Sequence, residues 1–182
     1  RLVAYILASL QSGPNTIIAG LLHDVVEDTD VTVEDIKKRW GEEVARIVDA
    51  LTKIQRLKLS KITSEEFEAE DHRKIFIGMA KDIRVILIKL ADRLHNLRTL
   101  GALARERQIA ICKETMEVFA PIAERLGLDI IKGEMEDLCI SYLEPEKFAE
   151  IKRLLSKKTK ISQKSLDGLK KRVADVLFEK KI

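Results

Sequence analysis

The stretch from Asp82 to Leu100 constrains the fold more than any other part of the chain, because it is strongly amphipathic. Its large aliphatic residues recur at alternating spacings of four and three positions, at Ile83, Leu87, Leu90, Leu94 and Leu97. This period places them on one face of an α-helix and predicts one buried seam. No stretch alternates strictly between apolar and polar residues over strand lengths. The chain is therefore predicted to be all-α, a helical bundle.

Capping and breaking residues divide this bundle into segments. Gly13-Pro14 separates a first helix from a second that carries the apolar run from residue 17 to residue 26. Thr32 and Asp35 resemble a capping box, with an acid one carbon shorter than usual, and open a helix that Gly41 ends. Further helices are predicted at 42–55, 64–80, 82–98, 106–126, 128–142, 145–157 and 163–180, and residues 53–68 are the least regular.

Two prolines mark later helices. Pro121 falls inside the predicted helix 106–126 and is expected to kink it, because proline lacks the N–H that a helix interior requires. Pro145 opens the predicted helix 145–157, and proline suits a first helical turn.

Four metal-binding or proton-handling side chains stand at the end of the apolar run. His23 and Glu27 are four residues apart, as are Asp24 and Asp28, so each pair is stacked on one face of a helix. Imidazole beside carboxylate is a ligand set for a divalent cation such as Mn, Fe or Zn. The alternative is a buried histidine that pairs with the neighbouring acid as a satisfied part of the core.

A second row of polar side chains runs beside the seam of the amphipathic stretch. Asp92, Asn96 and Thr99 recur at spacings of four and three. Solvent-facing helix stripes usually contain Lys and Glu, so a carboxylate, an amide and a hydroxyl in one row favour the lining of a site. The alternative is a polar shoulder on a core helix.

These residues lie in two longer runs that closely resemble the hydrolase domain of the RelA/SpoT homologues. That family makes and degrades guanosine tetraphosphate and pentaphosphate in the stringent response. The matching runs are Leu21 to Thr29 and Ala80 to Leu100, with further agreement at 48–53, 120–127 and 136–145. The resemblance extends from Arg1 to about Leu155, and the chain keeps the His-Asp pair that synthetase-only members have lost. It implies an all-α, HD-domain phosphohydrolase bundle with a working hydrolase site.

The resemblance implies one Mn²⁺ bound by His23, Asp24 and Asp92. In the family, an additional histidine in a His-Pro pair is the first metal ligand, and it precedes the segment that here begins at Arg1. Without that histidine, the chain as given is expected to bind Mn²⁺ weakly and to hydrolyse its substrate poorly.

The resemblance also implies the roles of five further residues. Glu27 and Asp28 would orient the attacking water or move its proton. Asn96 and Thr99 would contact the sugar and phosphate of the nucleotide, and Lys53 matches a family position near the pocket. Hydrolysis of the 3′-diphosphate would give pyrophosphate and GDP or GTP.

The same comparison suggests that the chain is a fragment. Residues 1–143 would form the hydrolase domain, and residues 144–182 a helical linker leading toward a synthetase domain that the sequence does not contain. Regulatory domains of the parent protein would also be absent. Contact with the ribosome or RNA is expected only through that parent.

Composition indicates an intracellular protein, expected in the cytoplasm. The 182 residues are 46% hydrophobic, which is enough for one substantial core. No apolar run reaches the roughly 18 residues that cross a membrane. Cys112 and Cys139 occupy apolar helical positions without a CxxC partner, so both are expected to be free core thiols.

Charge is uneven along the chain, although the net charge is only +3. Residues 152–182 contain eleven Lys or Arg against three acids. A basic tail suggests RNA contact, but no aromatic residues interleave with these lysines as a stacking platform requires. A solvated linker with Lys-rich faces is the preferred interpretation.

Two other histidines are less informative. His72 lies on a charged helical face and is expected to be exposed. His95 is three residues from Asp92 and either borders the site or is a partly buried residue with local hydrogen bonds.

Three other functions remain open from the sequence. The chain could be an HD phosphohydrolase for another nucleotide, a metal-free domain that only binds the alarmone, or a fragment that controls a synthetase. The sequence does not fix the oligomeric state, the preference between tetraphosphate and pentaphosphate, or the effectors.

Overall fold

The computed structural model describes residues 2–59 and 82–156, with the side chains of residues 54–59 left out. All regular elements in these ranges are helical, which confirms the predicted all-α class. In chain order they are α1 (Leu2–Ser9), α2 (Pro14–Leu21), α3 (Val25–Asp28), α4 (Val33–Trp40), α5 (Glu42–Leu59), α6 (Ile83–Arg98), a 3₁₀ turn (Leu100–Ala102), α7 (Arg105–Glu114), a π-helical turn (Thr115–Phe119), α8 (Ala120–Arg125), α9 (Asp129–Leu143) and α10 (145–156).

The central packing unit consists of α1, α2, α5 and α6. Helix α1 packs against α2 and α6, and α5 packs against α2, α4 and α6. The core is filled by large aliphatic side chains that are almost completely inaccessible to water, among them Leu7, Val44, Val48, Leu51, Ile88, Leu90 and Leu94. Their burial supplies the main driving force for folding.

Helix α6 is buried over a broader arc than the predicted seam. Leu90, Leu94 and Leu97 are buried as expected and Leu87 is half-buried, but the prediction for Ile83 was wrong, since 53% of this residue is exposed. The other buried positions on α6 are Val85, Ile86, Ile88 and Ala91. Because α6 contacts α1, α2, α5 and the π-helical turn, more than one stripe of its surface faces protein.

The predicted capping signals are confirmed at α4. The backbone N–H of Asp35 donates to the Thr32 hydroxyl oxygen, and the Asp35 carboxylate accepts from the Thr32 backbone N–H. Gly41 ends the helix at φ +91°, a conformation that favours glycine. Helix α5 runs to Leu59, so the prediction that it ends at residue 55 was too short.

Pro121 distorts the predicted helix 106–126, as expected, but through a π-helical turn. The backbone N–H of Ala120 donates to the carbonyl of Thr115, five residues earlier, and α8 begins directly before the proline. Proline is tolerated at that position because the first N–H groups of a helix have no partner within it. Pro145 likewise opens α10.

The chain divides into two compact units, of which the first ends at Cys139 and the second begins at Ile140. The predicted functional boundary between residues 143 and 144 stays a prediction. Cys112 and Cys139 are both buried and free, as expected. The predicted helices 64–80 and 163–180, His72 and the basic tail beyond residue 156 lie outside the described residues.

Within residues 2–59 and 82–156, none of the helices combines the length and the apolar character that a membrane span requires.

Candidate metal centre

The His-Asp pair lies in a turn between two helices, which corrects the prediction of one continuous helix. Helix α2 ends at Leu21 and α3 begins at Val25, so His23 and Asp24 belong to neither. The imidazole Nδ1 of His23 lies 2.9 Å from the carbonyl oxygen of Gly20. In a continuous helix that carbonyl would accept from the backbone N–H of Asp24. The side chain of His23 therefore competes with the helical hydrogen bond, and the helix is interrupted.

This contact determines which histidine nitrogen faces the site. Nδ1 donates its proton to the Gly20 carbonyl, so Nε2 is the nitrogen that carries the lone pair whenever the ring is neutral. Metal-binding histidines commonly use a backbone carbonyl in this way to fix the ring and its tautomer. The side chain of His23 is only 13% exposed, so its orientation is held by its surroundings.

The Nε2 atom of His23 contacts carboxylates from both parts of the predicted site. It lies 2.8 Å from Oδ2 of Asp24 and 3.6 Å from Oδ1 of Asp92, although Asp92 is about seventy residues further along the chain. Both oxygens contact the same nitrogen, so their separation cannot exceed the sum of these two distances. The structure thus brings His23, Asp24 and Asp92 together at the crossing of the α2–α3 turn with α6.

The two carboxylates change the protonation of this cluster. Burial lowers the pKa of His23, but hydrogen bonds and charge from Asp24 and Asp92 outweigh burial and raise this pKa to about 10. Burial raises the pKa of Asp92, but the attraction of His23 and the charge of Lys89 outweigh it, and the pKa lies below its usual value. The cluster is therefore an imidazolium held between carboxylates.

A divalent cation can take the position of the proton that lies between His23 Nε2 and the two carboxylates. The chemistry fits a divalent metal, because a fixed imidazole nitrogen and two carboxylates are ligands for such ions. As the side chains stand, no group of three or more His, Cys, Asp or Glu among the described residues is arranged to hold a metal ion. His23 and Asp24 contact each other directly, so these side chains must separate slightly to admit a cation between them.

Glu27 and Asp28 follow one turn after the His-Asp pair. Both belong to α3, whose start is stabilised by the Asp24 carbonyl, which accepts from the N–H groups of Glu27 and Asp28. Glu27 is half-buried and Asp28 is exposed. The two acids are thus attached to the same turn as two of the candidate ligands, and their catalytic roles stay predictions.

The predicted row on α6 is only partly joined to the cluster. The Asn96 amide donates to Oδ1 of Asp92 over 3.3 Å. The Thr99 hydroxyl lies 3.2 Å from the His95 carbonyl, at the exposed end of α6. Lys53 is 71% exposed and pairs with Asp49 on α5 over 2.6 Å. Lys53 does not take part in the contacts that join His23, Asp24 and Asp92. No role in ligand binding is established for Asn96, Thr99 or Lys53.

Two features of the site were not predicted from the sequence. The Nζ atom of Lys89 lies 3.7 Å from Oδ2 of Asp92, and the spacing of three residues on one helix is the signal that indicates this contact. A Cβ atom added to Gly20 would lie 2.3 Å from Cδ1 of Leu7, so glycine permits the close approach of α1 and α2. His95 is partly buried, and within the described chain its Nδ1 has no hydrogen-bond partner.

Comparison with known proteins supports the predicted resemblance. Residues 2–129 match the family model described as HD domain. A probable guanosine-3′,5′-bis(diphosphate) 3′-pyrophosphohydrolase of Synechocystis sp. is 47% identical over 168 residues, which are 92% of this chain and 22% of that protein. A GTP pyrophosphokinase of Myxococcus xanthus is 45% identical over 166 residues, 91% of this chain and 22% of that protein.

A third relative has the same relationship. The guanosine-3′,5′-bis(diphosphate) 3′-pyrophosphohydrolase of Haemophilus influenzae is 45% identical over 153 residues, 84% of this chain and 22% of that protein. The chain thus spans about a fifth of the length of these relatives. HD-domain hydrolases use divalent metals, in agreement with the donor set described above. The chain belongs to the HD domain family, with RelA/SpoT-type enzymes as its relatives.

Proposed function

We propose that this chain carries a hydrolase site that removes the 3′-diphosphate from guanosine tetraphosphate or pentaphosphate and releases pyrophosphate with GDP or GTP. The observation that carries the proposal is the contact of His23 Nε2 with both Asp24 and Asp92. One imidazole nitrogen and two carboxylates from separate segments supply three donors that suit a divalent cation once His23 and Asp24 separate. The names of the Synechocystis and Haemophilus relatives support the choice of substrate.

We assign Mn²⁺ as the cation, because imidazole together with carboxylates suits manganese. When bound, it supplies positive charge that activates water as a nucleophile and offsets the negative charge of the diphosphate. His23, Asp24 and Asp92 hold it, and the Gly20 carbonyl keeps the His23 ring in the orientation that this requires.

The other residues act on water and on the nucleotide. Glu27, and Asp28 beside it, accept and move the proton of the attacking water, since a carboxylate one turn from the ligands is within reach of that water. Asn96 and Thr99 contact the sugar and a phosphate. Residue 99 lies about 10 Å beyond residue 92 along the axis of α6, because each helical residue rises about 1.5 Å. Lys53 contributes positive charge to the pocket.

The test is a hydrolysis assay of the full natural protein, first stripped of metal and then supplied with Mn²⁺. Guanosine tetraphosphate and pentaphosphate are compared with deoxynucleoside triphosphates and cyclic nucleotides. Pyrophosphate release from the two alarmones should return with Mn²⁺ and be lost in Asp92→Asn. The exposed Asp137→Asn is the matched control and should keep full activity.

Three outcomes would reject the proposal. Preference for another nucleotide would assign a different HD phosphohydrolase activity. Binding of the alarmone without turnover in any metal would indicate a binding domain. Full hydrolysis by Asp92→Asn would remove the two-segment site on which the proposal depends.

A further inference from the structure

Lys89 is a charged residue beside the candidate metal ligand Asp92, and it has no part in the function proposed above. It lies on α6, one turn before Asp92, and its side chain is 19% exposed. Residues three apart on a helix are neighbours on its surface, so the ammonium group reaches the carboxylate along the helix. A lysine so largely withdrawn from water loses solvation, which favours a position beside negative charge.

The two oxygens of Asp92 have different neighbours. Oδ1 lies 3.6 Å from His23 Nε2 and 3.3 Å from the Asn96 amide, whereas Oδ2 lies 3.7 Å from Lys89 Nζ. Lys89 is therefore associated with the carboxylate oxygen that His23 does not contact. The distance to Oδ2 is longer than a hydrogen bond, so the attraction between the two groups is electrostatic.

The charge balance of Asp92 changes when a cation binds. The divalent cation then neutralises the negative charge of the Asp92 carboxylate. Asp92 is no longer an uncompensated negative neighbour of the Lys89 ammonium, so the cation and Lys89 together carry an excess of positive charge. This arrangement favours an anion at the same place. Lysine is a common phosphate-binding residue and acts as a point charge.

We propose that Lys89 binds a phosphate group of the diphosphate that is released, and this rests on the function proposed above. The sequence contains no glycine-rich motif of the phosphate-cradling kind, so the diphosphate is expected to be held by the metal and by cationic side chains. Lys89 supplies such a group from the same helix as Asp92, and it would act as a substrate-binding residue rather than a support for the metal.

The experiment measures binding of inorganic pyrophosphate to the Mn²⁺-loaded full natural protein by calorimetry, and binding of Mn²⁺ alone by electron paramagnetic resonance. Lys89→Met is compared with Lys89→Arg, which keeps the charge. Lys132→Met is the matched control, because Lys132 is also mostly buried (24% exposed) and paired with carboxylates, but on α9. Thermal unfolding of each variant checks that it folds.

Lys89→Met should weaken pyrophosphate binding by about 10- to 100-fold, the loss expected for a hydrogen bond to a charged group. Mn²⁺ binding should stay the same or become tighter, because a positive neighbour has been removed. Lys89→Arg should retain most of the pyrophosphate affinity, and Lys132→Met all of it.

Unchanged pyrophosphate binding in Lys89→Met would overturn the inference. So would weaker Mn²⁺ binding by the same factor, which would mean that Lys89 orients Asp92. A wild-type protein that binds pyrophosphate through Lys89 but hydrolyses neither alarmone would reject the proposed substrate and leave the Lys89 assignment standing. A wild-type protein that hydrolyses the alarmones but binds no pyrophosphate would overturn the inference and leave the proposed function standing.

Discussion

His23 connects the backbone of one helix with the charges of another. Its Nδ1 contacts the Gly20 carbonyl, and its Nε2 contacts Asp24 and Asp92, so both ring nitrogens have partners. Without a cation the ring carries a proton, and that proton is stabilised by two carboxylates.

The metal-stripped protein should lose stability as the pH rises from about 6.5 toward 10. Burial lowers the pKa of His23, and the carboxylates raise it to about 10, above its ordinary value of 6.5. A raised pKa in the folded state stabilises that state below the unfolded pKa, and this contribution disappears as the pH passes the folded pKa. The measurement is the melting temperature against pH, in the wild type and in His23→Gln.

The variant serves as the reference for other groups that titrate in the same range. The difference between the two melting temperatures should shrink with rising pH. A difference that stays constant from neutral pH to pH 10 would contradict the imidazolium–carboxylate cluster.

Glu27 is the residue in which a catalytic role can be separated from metal binding. Glu27→Gln should keep Mn²⁺ but lose about 10²- to 10⁴-fold in turnover, the usual contribution of a general acid or base. Metal content is measured by elemental analysis and turnover by release of pyrophosphate. Glu34→Gln, an exposed acid on α4, is the control and should behave as the wild type. Loss of the metal in Glu27→Gln would instead make Glu27 a ligand.

At the scale of the elements, the site depends on how closely α1 approaches α2. Gly20 lies against Leu7 at this contact and also provides the carbonyl that orients His23. Gly20 therefore determines both the packing of α1 against α2 and the orientation of the His23 ring. Any side chain at position 20 would affect both.

Gly20→Ala should destabilise the protein by about 1–3 kcal/mol, the usual cost of overpacking a core. The added Cβ would clash with the Cδ1 atom of Leu7, which is fully buried, so either the Leu7 side chain or one of the two helices must shift. Gly133→Ala is the control, because Gly133 lies within α9 and its added Cβ meets no atom within 4 Å. That change should stabilise by about 0.4–1 kcal/mol. Urea unfolding measures both, and an unchanged midpoint for Gly20→Ala would contradict the close contact.

The apolar periodicity predicted most described helices, because it depends on burial of one face. It did not predict the turn at His23, since the apolar run continues through Val25 and Val26 without a break. The helix is interrupted because the His23 side chain donates to the Gly20 carbonyl, which in a continuous helix would accept from the backbone N–H of Asp24. Nor did it predict the exposure of Ile83, because the extent of burial depends on which helices pack around α6.

The pairing of His23, Asp24 and Asp92 was predicted through family resemblance and not through spacing. Periodicity assigns each residue to a face of its own helix, but it contains no information on which faces meet. Lys89 illustrates the opposite case, because its contact with Asp92 is local and follows from the spacing of three residues. Such local contacts can be predicted from the sequence alone.

At the scale of the whole molecule, a bound cation would join the α2–α3 turn to α6. Mn²⁺ should therefore raise the free energy of unfolding, by about 2.7 kcal/mol at a hundredfold excess over its dissociation constant. The effect is measured by urea unfolding with and without Mn²⁺, and chelation should reverse it. Asp92→Asn should lose the response, and the exposed Asp137→Asn should retain it. Equal stabilisation of both variants would place the cation elsewhere.

The distance in sequence between the parts of the site has a consequence for the order of events during synthesis. His23 and Asp24 leave the ribosome long before Asp92, so the early segment has only two of the three candidate ligands. The full donor set exists only after α6 has emerged and packed against α2. The growing chain therefore cannot bind the cation at this site before α6 has been made. The metal binds after the bundle has folded and does not guide its folding.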